Sequence, residues 1–255
     1  MGVLEGKQIL VTRELEQAKT MTSKIQQLGG ISIEIPLLSF KSADKETFRR
    51  SITHLEQADW VFFTSANGVA FFFDQLEEEQ LKLPSHLSIA VVGLKTEQAL
   101  QQYGYHPSFV PSRYSAYTLG TEFIEQVSEP LSIVLIQGNL SRTTLKDTLS
   151  RGPYEIQTVI MYETVFNVTM ETKLTEAIAN KQIDALTFTS PSAVRAFTRL
   201  AGHFEEVFTY PCACIGPTTE QEARKLGFTR IVVPKTYTVE AMIEQLALDR
   251  DERNW

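Results

Sequence analysis

Six short apolar runs in the chain lead straight into small, hydroxylated or glycine-bearing turns. They are Thr12-Arg13, Thr64-Ser65-Ala66-Asn67, Gly93-Leu94-Lys95-Thr96, Gln137-Gly138-Asn139, Thr189-Ser190-Pro191-Ser192 and Gly216-Pro217-Thr218-Thr219. Turns of this kind carry strands into helices, and the unpaired N–H groups of a helix start attract anions. Serine and threonine cap such starts and can also offer a hydroxyl to a ligand. Arg13, Lys95 and Arg142 stand at or beside three of these turns. Together the turns suit a cleft for a molecule with several anionic groups, while plain helix capping is the duller explanation of any single one. Tyr162, at the end of "TVIMY", is a different kind of group. An uncharged phenol beside anions donates a proton or hydrogen bond without salt-bridging them. An ordinary strand tyrosine is the competing reading.

Other chemistries lack their residues. There is no G-x-S-x-G elbow and no P-loop, and "VTRELEQA" after the first apolar run has no glycine for a dinucleotide fingerprint. His54, His86, His106 and His203 are scattered with no ligand spacing, so no metal is expected. Cys212 and Cys214 lie one residue apart in an apolar run and read as buried thiols rather than a disulfide or redox pair. A net charge of -7 argues against a partner held through nucleic-acid phosphates. No run approaches the ~18 apolar residues of a membrane span. The start, with Gly2, Glu5 and Lys7 before a strand, has no signal-peptide pattern, so no membrane partner and a cytoplasmic setting are expected.

The elements that must hold these turns alternate. Strands are expected at 7–13, 31–40, 59–64, 88–93, 108–112, 131–138, 154–164, 184–190, 213–216 and 230–235. Helices are expected at 14–29, 44–58, 69–76, 95–104, 117–127, 141–150, 171–180, 192–200, 219–227 and 238–248. Pro36 marks a bend or edge in the second strand. Short strands alternating with helices argue for parallel sheets covered on both faces. With 255 residues and 43% hydrophobic content, the chain makes one large domain or two ordinary ones.

The pattern also repeats. "FTSANGV" is echoed by "FTSPSAV"; Asp59 matches Asp184 at an offset of 125, and Gly93, Thr96 and Gly104 match Gly216, Thr219 and Gly227 at 123. "FVPSRYS" matches "VVPKTYT" at the same 123. Two similar five-stranded units follow. They lie in tandem, or they cross over through the equivalent segments 31–40 and 154–164; periodicity does not choose.

"ILVTR", "IPLL", "FTSANGV", "VVGLKTEQAL", "FVPS", "MYET", "TFTSPSAV", "CIGPTTEQEARKLG" and "VVPKTYTVEAMIEQL", in this order and spacing, resemble the uroporphyrinogen-III synthase family over essentially the whole chain. The resemblance implies an α/β fold of two similar flavodoxin-like domains, each a parallel sheet flanked by helices, joined by a two-stranded linker. Domain A is then 1–36 with 167–250, domain B is 41–153, the crossing strands are 31–40 and 154–166, and 251–255 is a tail. It implies a hydro-lyase that closes hydroxymethylbilane, a linear tetrapyrrole polycarboxylate, into uroporphyrinogen III. Water is lost and ring D inverted through azafulvene and spiro intermediates, in a cleft between the domains. No cofactor or metal is implied, and the one protein contact expected is transient handover from the preceding enzyme of the pathway.

Carried over residue by residue, the resemblance makes Tyr162 the group assisting hydroxyl departure. Ser65, Thr218 and Thr219 are expected to present hydroxyl or backbone donors to substrate carboxylates. Thr96 and Ser190 match polar cleft positions, Ser192 is expected to bind substrate beside them, and Arg13 and Arg142 are expected to supply counter-charge. The rival readings are a two-domain binding protein for an acidic metabolite, a flavodoxin-like scaffold domain, and another lyase or transferase acting on an acidic metabolite.

Overall fold

The computed structural model describes residues 2–253 and 255, and for residues 15–17 the backbone alone. The chain opens with β1 (Gln8–Val11), α1 (Leu15–Gln27), β2 (Ile31–Glu34) and β3 (Leu38–Ser42). Then come α2 (Lys45–Glu56), β4 (Trp60–Phe63), α3 (Ala66–Glu78), β5 (Ser88–Val91), α4 (Leu94–Gln102) and α5 (Ala116–Gln126). Next are β6 (Ser132–Gly138), α6 (Thr144–Leu149), β7 (Glu155–Phe166), α7 (Glu171–Ala179), β8 (Ala185–Phe188) and α8 (Pro191–Ala201). The last are β9 (Cys212–Cys214), α9 (Pro217–Lys225), β10 (Ile231–Val232) and α10 (Val239–Arg253). By its internal contacts the chain divides into one unit of Met1–Ser39 with Val165–Trp255 and another of Phe40–Thr164.

In the first unit the sheet runs β2-β1-β8-β9-β10 and its pairs are parallel. Alternation along β1 explains its two cores. Leu10 faces one way, into a cluster with Leu174, Phe188 and Phe197 under α7, α8 and α9. Ile9 and Val11 face the other, against Met21 and Ile25 of α1 and Met242, Ile243 and Leu246 of α10. A parallel sheet needs both faces covered, and three helices on one side with two on the other achieve it.

In the second unit the sheet runs β3-β7-β6-β4-β5. Val61 and Phe63 of β4 pack with Phe48, Phe72, Phe73 and Leu100 under α2, α3 and α4. Phe62 between them faces Leu119, Phe123, Leu145 and Leu149 of α5 and α6. The first sheet has the flavodoxin order 2-1-3-4-5. In the second, β7, β6, β4 and β5 stand where β2, β1, β8 and β9 stand in the first, β3 is added at the edge outside β7, and a fifth strand is reduced to a bridge beside β5. The echoed aspartates mark the match. Asp184 Oδ2 accepts the Gln8 N–H at the start of β1 (2.8 Å), and Asp59 Oδ2 accepts the Ser132 N–H at the start of β6 (2.8 Å). Their role is to tie strand starts together.

Some expected elements differ. Residues 31–40 are not one strand: β2 and β3 are separate and lie in different sheets. Pro36 has no N–H to give a ladder. Its neighbours Ile35 and Leu37 donate to Val11 O (3.0 Å) and Thr12 O (3.2 Å), just past β1. The boundaries between units fall inside β3, after Ser39, and inside β7, after Thr164. Ala43 N–H donates to Met161 O, and Asn167 N–H to Leu37 O (2.9 Å each), so these two segments run antiparallel. The expected strand at 108–112 is one bridge, Phe109 to Ala90. Residues 251–253 continue α10 instead of forming a tail, and the Trp255 indole N–H donates to Asp249 at 2.9 Å.

Candidate functional site

The C-terminal strand ends of each sheet carry the turns noted above. In the second unit two of them, at Ser65 and at Gly138, meet Tyr162. Its hydroxyl lies 3.2 Å from Ser65 Oγ, and Ser65 Oγ accepts the Gly68 N–H (3.0 Å) as the cap of α3. The phenol ring stacks on Phe71 (centroids 5.3 Å apart, 18° between planes) and meets Phe40 edge-on (5.7 Å, 80°). Tyr162 is 8% exposed. Each ring contact is worth about 1 kcal/mol, as is the single hydrogen bond. Packing thus fixes the ring, and Ser65 is a hydrogen-bond partner of its hydroxyl.

A β-bulge aims the ring. Gln137 pairs with Ile160 but Gly138 pairs with Tyr162, so Met161 is the extra residue. Consecutive strand residues ordinarily face opposite ways. Here Met161 Sδ meets Gln75 of α3 (3.8 Å) while Tyr162 stacks on Phe71 of the same helix. Gly138 supplies the space, because a Cβ there would stand 2.4 Å from Tyr162 Cζ. Asn139 then clamps the strand: its Oδ1 accepts the Thr164 N–H at 2.9 Å, and its own N–H donates to Tyr162 O at 3.1 Å.

The remaining expected residues are placed less uniformly. Arg142 is exposed beyond the Gly138 turn. Thr96 is 3% exposed, in the first turn of α4. In the first unit Ser190 caps α8, accepting the Ala193 N–H at 3.2 Å, and its hydroxyl meets that of Ser192 at 2.9 Å. Pro191 occupies the first helical position, where a missing N–H costs nothing. Thr218 is exposed, whereas Thr219 is 2% exposed. Arg13, just past β1, is half-buried; burial pushes its guanidinium pKa down and Glu14 opposes the shift. The structure joins Tyr162 to Ser65 and Ser190 to Ser192. It turns Thr96 and Thr219 largely inward.

Sequence reasoning missed the ring cradle of Phe40, Phe71 and Gly138. It also missed Tyr114 and Tyr237, 64% and 61% exposed, which lie against Gly93 and Gly216 at the starts of α4 and α9. Their signal was present, since both tyrosines stand within the echo "FVPSRYS" and "VVPKTYT". Among the described residues no group of three or more His, Cys, Asp or Glu side chains is placed to hold a metal. Cys212 and Cys214 are buried free thiols, 3.8 Å apart. The strand ends therefore offer hydroxyls and helix-start N–H groups, a set able to bind carboxylates and give one proton.

The model of the family described as HEM4, uroporphyrinogen-III synthase HemD, matches residues 19–244. The "Porphyrin biosynthesis protein HemD" of Ruminiclostridium josui is 26% identical over 95% of this chain, which spans only 48% of that protein's length. A putative uroporphyrinogen-III synthase of Methanothermobacter thermautotrophicus is 27% identical over 95% of this chain and 98% of its own. In fold, the chain is similar to a mutant uroporphyrinogen III synthase from the extremely thermophilic bacterium Thermus thermophilus (TM-score 0.65, 16% identity, 98% of this chain and 100% of that one). The Helicobacter pylori uroporphyrinogen-III synthetase gives a TM-score of 0.63 at 17% identity, over 96% of this chain and 99% of its own. With the family model spanning both parallel-sheet units and the relatives agreeing with it, the chain belongs to the uroporphyrinogen-III synthase HemD family.

Proposed function

We propose that the protein is a uroporphyrinogen-III synthase, closing hydroxymethylbilane to uroporphyrinogen III with inversion of ring D and loss of water. Family membership supports the cyclase reading, and the observation that carries the chemistry is the Tyr162 hydroxyl beside Ser65 at the strand ends (3.2 Å). In this reading Tyr162 gives its proton to the terminal hydroxyl as the C–O bond breaks, and water leaves. The methylene of the azafulvene cation left behind is attacked by the substituted carbon of ring D, and the spiro intermediate reopens and recloses. The ring carbon that finally loses a proton returns one to the phenolate, so the enzyme is restored.

The other residues act by position rather than by reaction. Ser190, Ser192, Thr218 and the helix starts of both units engage substrate carboxylates through hydroxyl and N–H donors. Arg13 and Arg142 add charge. Thr96 and Thr219, largely buried, serve through the backbone of their turns. The segments where β3 and β7 pass between the units are read as a two-stranded linker. Unaided closure gives the uninverted isomer, and oriented donors that hold one geometry suit the task of selection.

The test is incubation with freshly made hydroxymethylbilane, followed by separation of isomers I and III. Isomer III in excess is expected, with turnover lowered in Tyr162→Phe. Isomer I alone, at the rate without protein, overturns the function. Unchanged turnover in Tyr162→Phe removes the tyrosine from the chemistry.

A further inference from the structure

We propose that Ser65 is a positioning residue for Tyr162: its hydroxyl donates to the phenolic oxygen and so turns the phenolic hydrogen toward the substrate. The inference rests on the reading that Tyr162 is the proton donor. A serine hydroxyl has one hydrogen and two lone pairs. At Ser65 one lone pair takes the Gly68 N–H at 3.0 Å. The 3.2 Å contact with Tyr162 can be filled by either hydrogen. Once a substrate oxygen accepts the phenolic hydrogen, only the Ser65 hydrogen remains to fill it.

The surroundings favour that direction. Accepting the Gly68 N–H polarises the Ser65 hydroxyl and strengthens it as a donor. Ser65 also stands at the N-terminus of α3, a 13-residue helix whose dipole favours negative charge there. Negative charge develops on the phenolic oxygen as its proton leaves, so both effects act at the moment of transfer. Gly68 keeps the arrangement open, since a Cβ on it would stand 3.3 Å from Ser65 Oγ.

The equivalent serine shows that capping alone does not require a tyrosine. Ser190 caps α8 through Ala193 N–H (3.2 Å), yet its hydroxyl meets Ser192 at 2.9 Å. The phenol contact at Ser65 is thus additional to the cap. It is held by the Gly138 space and the Phe40 and Phe71 rings, which leave Tyr162 packed against this one hydroxyl.

The experiment compares Ser65→Ala, Ser65→Thr, Tyr162→Phe and the double variant Ser65→Ala/Tyr162→Phe, with Asp44→Ala as a lost helix cap elsewhere in the same unit. Ser65→Ala is expected to lower kcat about three- to tenfold with little change in KM, the loss of one hydrogen bond. Ser65→Thr restores most of it, and Asp44→Ala leaves kcat unchanged while lowering thermal stability. In the Tyr162→Phe background, Ser65→Ala changes kcat by less than about twofold, because residues acting through one another are not additive. Equal losses in both backgrounds, or no rescue by threonine, overturn the proposal. A readout independent of turnover separates this from failure of the functional reading: the 13C resonance of Tyr162 Cζ should move in Ser65→Ala and stay in Asp44→Ala. An unmoved resonance in Ser65→Ala overturns the positioning role even if the chain converts no hydroxymethylbilane. Absent conversion with a moved resonance overturns the functional reading and not the contact.

Discussion

A Cβ placed on Gly138 would stand 2.4 Å from Cζ and 2.8 Å from the hydroxyl oxygen of Tyr162, so the phenol occupies the space that the glycine leaves. Gly138→Ala must therefore drive the ring out from between Phe40 and Phe71 and away from Ser65. We expect turnover to fall at least as far as in Tyr162→Phe, with a stability loss of about 1–3 kcal/mol, typical of overpacking. Steady-state kinetics and thermal unfolding check this together. Wild-type turnover with a lowered melting temperature would detach the ring position from activity.

The echoed glycines Gly93 and Gly216 should respond differently to the same change. Both have extended backbone, open to any residue (φ 168° and -173°). An added Cβ at Gly93 would meet Tyr114 Cβ at 2.8 Å, whereas at Gly216 it would meet Tyr237 at an ordinary 3.5 Å. Gly93→Ala is expected to cost about 1–3 kcal/mol and Gly216→Ala about 0.5 kcal/mol or less. Urea unfolding of the two variants, compared with wild type, decides it.

Acid should weaken the second unit through three carboxylates. The Thr47 N–H holds Asp44 below its ordinary value of 3.8. Lys45 does the same for Glu79, and the Ser112 hydroxyl and N–H for Glu122, both against 4.5. Groups depressed on folding give stability that is present above the unfolded pKa and lost as pH falls through the folded one. The melting temperature should therefore drop below those ordinary values. The combined Asp44→Asn, Glu79→Gln and Glu122→Gln variant should show a flatter acid limb in melting curves across that range. An unchanged slope would assign acid unfolding to other groups.

The two cysteines should be inert until the protein opens. Cys212 and Cys214 have no exposed surface, and burial pushes the Cys212 thiol pKa well up. Thiolate is the reactive form, so a disulfide reagent should titrate neither thiol in buffer and both in denaturant. Rapid labelling of the native protein would contradict the burial.

The repeat was legible because it is written in local signals. Asp59 and Asp184 stand before strands in the sequence, and both accept an N–H from the start of a neighbouring strand. Strand-then-turn patterns such as "FTSANGV" read through for the same reason. What a pattern does not contain is which sheet a strand joins. The apolar run of 31–40 continues across Pro36, yet its halves belong to different sheets. Nor does the hydroxyl content of a turn say which way each side chain points. Ser65 meets Tyr162, but Thr96 and Thr219 turn inward. The cradle was hidden for a third reason. Phe40, Phe71 and Gly138 are far apart in the chain, and the bulge at Met161 leaves no mark on hydrophobic alternation.

The first unit is written around the second. β1 pairs with β2 on one side and β8 on the other, and the whole of Phe40–Thr164 is synthesised between them. The sheet that carries Tyr162 is then complete while the first 39 residues still lack most of their partners. Domains generally close as units during synthesis, the earlier-finished one first. On the ribosome the order of folding should thus invert the order of the N-terminus. Chains stalled past β7 should protect the inserted unit from protease, and the opening strand should become protected only once β8 has emerged.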